Sequence, residues 1–175
     1  MTQHDLERII IGCRNREEGS YSRLVEIYGK RCFGYFFRLT GNRTTSEDLL
    51  SELFVKLVEK IDGYRGGSFD GWVFAMASNI FHDHLRFKHR QANLLDEHRR
   101  RLELQPIESE QPSEGDFDKL QGSLEKLDDD IRELVMLRYY SQLSFKEIAE
   151  LRKEPIGTTL SKVHRGLKRL RELME

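Results

Sequence analysis

Thr158, Ser161, Lys162, Arg165, Lys168 and Arg169 recur over a few helical turns near the end of the chain. At about 100° per residue they gather on one side of a helix, with Ile156, Leu160, Val163, Leu167 and Leu170 predicted to pack inward on the other. Such a face suits recognition rather than bond-making. Hydroxyls pair with base edges, and ammonium and guanidinium groups attract phosphate. A DNA major groove admits one helix, whose N-terminal residues reach bases while Lys and Arg meet the backbone. Lys and Arg near a helix C-terminus also complement its dipole. What precedes the helix therefore decides between the two readings.

Ser144 followed by Glu147 predicts a capping box, each side chain satisfying a free backbone N–H of the other. Phe145, Ile148 and Leu151 then point inward, and Ala149 is small enough for a second helix to cross closely. Arg152–Glu154 forms the turn, and Pro155 suits the first position of the next helix. Helix, short turn, basic helix is the helix-turn-helix pattern.

The rest of the chain also reads as helices. Leu6, Ile9, Ile10 and Cys13 recur at helical spacing, as do Tyr21, Leu24, Val25, Tyr28, Cys32 and Phe36. After a turn at Thr40–Arg43, Thr45 is expected to cap a helix with Asp48 at its third position. Its buried stripe is Leu49, Leu50, Leu53, Phe54, Leu57, Val58 and Ile61. The glycines of Asp62–Ser68 interrupt it, and a long helix follows from about Phe69 to Arg90. Periodicity fades near Gln91, in a stretch with two of the three prolines, although "LLDEHRRRLEL" can continue the helix. The expectation is an all-α chain: two small bundles, residues 1–92 and 123–175, joined by a flexible acidic linker, residues 93–122.

Net charge is only −1, yet its distribution alternates. Arg86, Lys88, Arg90 and Arg99–Arg101 make one basic stretch. Glu103, Glu108, Glu110, Glu114, Asp116 and Asp118 follow, and the last helix is basic again. That gives two polyanion-binding faces and a repelling connector. No apolar run is long enough for a bilayer, and no basic segment leads into an apolar one at the N-terminus. Cys13 and Cys32 match no metal spacing and read as reduced, core-facing thiols of a cytoplasmic protein. His82, Asp83, His84 and His89 are the best metal-ligand candidates. His82 and His84 face different directions on a helix, however, and His4, His98 and His164 lie elsewhere. No metal, cofactor or catalytic residue is expected.

At this point two stretches resemble a known family. "LEKLDDDIRELVMLRYYSQLSFKEIAE" with "PIGTTLSKVHRGLKRLREL" is similar to domain four of sigma-70 family RNA polymerase sigma factors of the extracytoplasmic-function group. "LTGNRTTSEDLLSELFVKLVEKIDGYRGGSFDGWVFAMASNIFHDHLR" resembles domain two of the same group. The resemblance implies promoter specificity and opening in transcription initiation. Domain four would bind the −35 element through the basic helix. Domain two would bind the −10 element and the clamp helices of the polymerase β′ subunit. For the clamp it implies Asp48, Leu49, Glu52, Leu53 and Lys56, with ordinary core as the rival reading of the leucines. For the −10 element it implies Arg65, Ser68, Phe69, Trp72, Asn79 and Arg86, with an Asp83–Arg86 ion pair preferred for Asp83. Expected partners are core RNA polymerase, including its β flap, promoter DNA and an anti-sigma factor.

Two departures stand out. Lys153 and Glu154 replace the family's usual glycine and apolar residue in the turn, so Lys153 must turn left-handed or the turn takes another shape. Asp128 replaces a common proline and is expected to cap a helix as well. A stand-alone helix-turn-helix regulator is the rival, and it leaves the first half unexplained. The acidic connector is expected to fold over the basic helix in the free protein.

Overall fold

The computed structural model describes residues 3–102 and 116–175, and among them there is no strand. Four helices form the first bundle: α1 Gln3–Arg14, α2 Ser20–Thr40, α3 Arg43–Lys60 and α4 Phe69–Leu102. The second bundle contains α5 Asp116–Glu125, α6 Asp129–Val135, α7 Phe145–Arg152 and α8 Ile156–Met174. The chain runs on from α6 through one wide π turn, Met136–Tyr140. No helix among the described residues is long and apolar enough to cross a membrane.

The first core is rich in aromatic rings: Tyr28, Tyr35, Phe36, Phe74 and Phe81 are fully buried with Leu24, Leu53, Leu57 and Ile80. Cys13 and Cys32 are free thiols within it, and burial pushes Cys32 up to about 12. The second core is thinner and aliphatic: Leu124, Leu134, Leu137, Leu143, Ile148 and Val163. α8 crosses α6 at Gly166, where a β-carbon would come within 2.6 Å of Ile131 and 3.0 Å of Val135. The small residue that makes a close crossing possible is therefore on α8, beyond the Ala149 of α7.

Several expectations are corrected. Asn42, one turn before Thr45, caps α3 by accepting from the Thr45 N–H at 2.8 Å. Asn42 has the extended backbone a cap needs, whereas Thr45 is already inside the helix. Val58, expected in the stripe, is exposed. α4 continues past Arg90 to Leu102, since nothing from Gln91 onward breaks a helix until the prolines. α5 likewise occupies the end of the expected linker. Glu103, Glu108, Glu110 and Glu114 lie outside the described residues, and so does their proposed folding over α8. Asp128 takes the cap position of α6 without a side-chain hydrogen bond.

The two bundles pack on each other through a polar seam. Its centre is Glu133 of α6, whose side chain is wholly buried. Glu133 accepts from Tyr35 of α2 at 2.9 Å, Ser78 of α4 at 2.6 Å and Arg152 of α7 at 2.7 Å. His82 Nε2 lies 2.7 Å from the same carboxylate. Arg152 also pairs with Asp130. A buried carboxylate persists only when its lone pairs are matched this fully. Around it, Arg31 donates to Asp70 at 2.8 Å and across the seam to the Ser141 carbonyl at 3.0 Å. Tyr140 lies directly over Gly34, where a side chain would collide with it.

Candidate nucleic-acid and polymerase interfaces

The helix-turn-helix forms as its residues dictate. Ser144 Oγ accepts from the Glu147 N–H at 3.2 Å, and Glu147 accepts from the Ser144 N–H at 2.8 Å. Burial opposes the Glu147 charge, but hydrogen bonds from Ser144 and from Ser68 of the first bundle hold it below the ordinary carboxylate range. Lys153 closes α7 in the left-handed region, φ 52° and ψ 42°. A side chain there costs about 1–2 kcal/mol relative to ordinary helical backbone. Pro155 stands one place earlier than expected, capping α8 rather than opening it, and its carbonyl accepts from the Thr158 and Thr159 N–H groups.

Glu154 gives the turn a second fastening. It accepts from Thr159 at 2.8 Å and from Lys162 at 2.7 Å. Burial would raise its pKa, but those two bonds outweigh burial and leave it below the usual range. Lys162 is also 3.3 Å from Asp130 and keeps only 25% of its side chain exposed. Its charge thus meets two carboxylates of its own chain. Thr158, Ser161, Arg165, Lys168 and Arg169 are exposed on one arc of α8, as expected.

The inward row of α8 differs from expectation. Thr159, Val163 and Gly166 are buried, with Leu167, Leu170 and Leu173 partly so. Ile156 and Leu160 are exposed, at the edge of a face whose buried members in those turns are Thr159 and Val163.

On α3, Asp48 and Glu52 are exposed, and Lys56, 2.6 Å from Glu52, is half-buried. Leu49 and Leu53 belong to the core, since both face α2 and α4 from the inner side of the helix. They hold the acidic surface without forming it. Val55, 57% exposed beside Glu52 and Glu59, is the apolar member of that surface that the sequence concealed.

The segment before α4 is built from aromatic packing. Phe69 is buried, edge-on to Tyr28 at 5.6 Å and to Tyr64 at 5.0 Å, so it anchors the loop rather than facing solvent. Gly66 and Gly67 take φ 98° and 88°, which few other residues would tolerate, and the Gly67 carbonyl accepts from Tyr64 at 2.6 Å. Arg65 is exposed, donating to the Asp62 carbonyl at 3.0 Å. Ser68 is exposed and its hydroxyl accepts from the Gly71 N–H at 3.0 Å. Trp72 is half-buried against Tyr64 and Phe69. With Asn79, Met76, Lys60 and Gly63 it lines a depression between α3 and α4. Arg86 is exposed two turns beyond Asn79 and pairs with Asp83, which holds that carboxyl below its usual range. Among the described residues no three His, Cys, Asp or Glu side chains cluster as metal ligands would. His82 is instead committed to Glu133.

Two helical bundles in this order, the second carrying a helix-turn-helix and the first an acidic helix beside an aromatic loop, define a class of transcription initiation factors. Residues 24–91 match Sigma-70 region 2, and residues 117–170 match Sigma-70 region 4. The chain belongs to the sigma-70 family of RNA polymerase sigma factors, in its extracytoplasmic-function (ECF) group. It is 30% identical over 161 residues to the ECF RNA polymerase sigma factor SigE of Mycolicibacterium smegmatis, spanning 89% of this chain and 62% of that protein. To SigW of Bacillus subtilis it is 26% identical over 168 residues, 89% of each chain. The fold matches that of the sigma factor RpoE from Bartonella quintana, solved with the anti-sigma factor NepR. The TM-score is 0.73 at 23% identity, over 89% of this chain and 97% of that one. CnrH, solved with the cytosolic domain of CnrY, matches with TM-score 0.70 at 18% identity, over 95% and 94% of the two chains.

Proposed function

We propose that this chain binds core RNA polymerase in the cytoplasm and directs it to promoters, with no catalytic chemistry of its own. α8 serves the −35 element through Thr158, Ser161, Arg165, Lys168 and Arg169. The depression at Trp72 and Asn79, with Arg65, Ser68 and Arg86, serves the −10 element. Asp48, Glu52 and Val55 form the grip on the β′ clamp, with the β flap as the second polymerase contact. The division that fits these roles is a polymerase-binding and −10 domain through α4, a connector, and a −35 domain beginning at α5. The exposed basic arc on a capped, Lys153-turned helix-turn-helix carries the reading. A stand-alone regulator would leave the acidic surface of α3 without a purpose.

The packed arrangement is then a resting state. The −10 and −35 elements are roughly 25 base pairs apart, about 85 Å at 3.4 Å per pair. Arg152 and His82 approach to 2.6 Å across the seam. That contact holds Asn79 and the first turn of α8 within roughly 30 Å, from chain reach alone. One molecule packed this way cannot serve both elements, so polymerase must bind the open form better. An anti-sigma factor would act in the opposite sense by holding the polymerase surface or the closed form. The test is run-off transcription by core polymerase on a promoter library, with and without the chain. No gain in promoter-directed transcript over core alone would sink the reading.

A further inference from the structure

Lys162 stands within the basic row of α8. At about 100° per residue it falls on the same side of the helix as Thr158, Arg165 and Arg169. Those three are exposed, whereas Lys162 keeps only 25% of its side chain in solvent. Two carboxylates make the difference. Glu154, in the turn before α8, meets its ammonium at 2.7 Å, and Asp130 of α6 at 3.3 Å. Asp130 is already engaged by Arg152, so Glu154 is the principal partner. Ion pairs between freely exposed side chains hold little. This pair is enclosed instead. The Glu154 side chain is only 14% exposed, and its other oxygen accepts from the buried Thr159 at 2.8 Å. A carboxylate fixed at both oxygens cannot follow its lysine outward, so Lys162 must leave Glu154 to reach anything beyond the helix.

A lysine strengthens DNA binding by neutralising a phosphate and releasing its counterions, a gain that is the same for any sequence. An ammonium already neutralised within its own chain supplies no such gain. We infer that Glu154 is a positioning residue for the −35 helix: it withholds Lys162 from the DNA backbone and so lowers the hold of α8 on duplex of arbitrary sequence. This rests on the reading of α8 as the −35 helix. Less of the binding then comes from phosphates, and more from the bases that the exposed arc meets.

The test uses holoenzyme reconstituted from core polymerase and the full chain. A promoter fragment is first selected from a randomised library, and a second fragment carries the same −35 element scrambled. Binding to each is titrated from about 50 to 200 mM salt. Glu154→Gln keeps the bond from Thr159 and removes the charge. Its salt slope should steepen by about 0.9, one phosphate contact, on both fragments. Its advantage over the unaltered chain should shrink about three- to fourfold across that range. Lys162→Ala should leave the slope of the unaltered chain as it is, and should cancel the steepening when combined with Glu154→Gln. The inference is overturned if Glu154→Gln leaves the slope unchanged, if its gain is confined to one fragment, or if the steepening survives Lys162→Ala. It is overturned too if Lys162→Ala alone makes the slope shallower, a result that holds even where Glu154→Gln unsettles the turn. A holoenzyme that selects no promoter at all would instead overturn the sigma reading.

Discussion

The two bundles are held by different means. The first closes on itself with buried rings packed edge to face, as Tyr35 and Phe74 are at 5.4 Å. The second has an aliphatic core and completes itself by docking a buried carboxylate, Glu133, against Tyr35, Ser78 and His82 of the first. Aromatic packing has no good alternative in water. A polar seam does, since every group released from it can hydrogen-bond with solvent. The first bundle is held by apolar packing, whereas the contact between bundles adds a buried polar network to the apolar cluster that the two share.

The contrast is broken most severely by Glu133→Ala, which leaves Arg152 without its buried partner. Loss of one member of a buried pair costs about 3–5 kcal/mol. Labels at Glu26 and Glu175 should report a longer distance in the variant, while thermal melting of the first bundle stays in place. Glu133→Gln keeps the shape and should open the seam less. Unchanged distances in both variants would mean that apolar contacts hold the halves.

The next effect concerns surface roles. Asp48→Lys with Glu52→Lys reverses charge on an exposed face and should weaken core polymerase binding about tenfold or more without unfolding the protein. Equal affinity in a core-binding titration would remove α3 from the interface. On α8, Arg165→Ala should cost about 1–3 kcal/mol of −35 affinity and relax preference at one position. Lys162→Ala should leave the salt dependence of binding nearly unchanged, because its ammonium already faces Glu154 and Asp130. A shallower salt slope would return Lys162 to the phosphate contacts.

Much of this was legible in the sequence, and the failures share a cause. The Ser144–Glu147 box and the Asp83–Arg86 pair are local features, readable from neighbours along the chain, while the left-handed Lys153 was one of two turn shapes left open by the missing glycine. Glu133 was not legible. It sits among Asp129, Asp130 and Arg132, and its seam partners Tyr35 and Ser78 lie 98 and 55 residues away. Leu49, Leu53 and Phe69 resembled contact residues by position, but each faces its own core. Ile156 and Leu160 lie at the edge of the buried arc, whose centre is held by Thr159 and Val163.

The smallest expected effect is Lys153→Gly. Removing the side chain from a left-handed position should stabilise the second bundle by about 0.5–1 kcal/mol, read as a rise in its melting temperature. If the change destabilises, the Lys153 side chain has a stabilising contact of its own.

The two thiols lie entirely within the first bundle, on α1 and α2, and burial keeps both protonated at neutral pH. A protonated, enclosed sulfur does not react with oxidants or alkylating reagents. Maleimide uptake is therefore a clock for the unfolding of one bundle alone. Parting of the seam leaves it silent, so a signal that releases the second bundle can be told from damage to the first by a single mass spectrum.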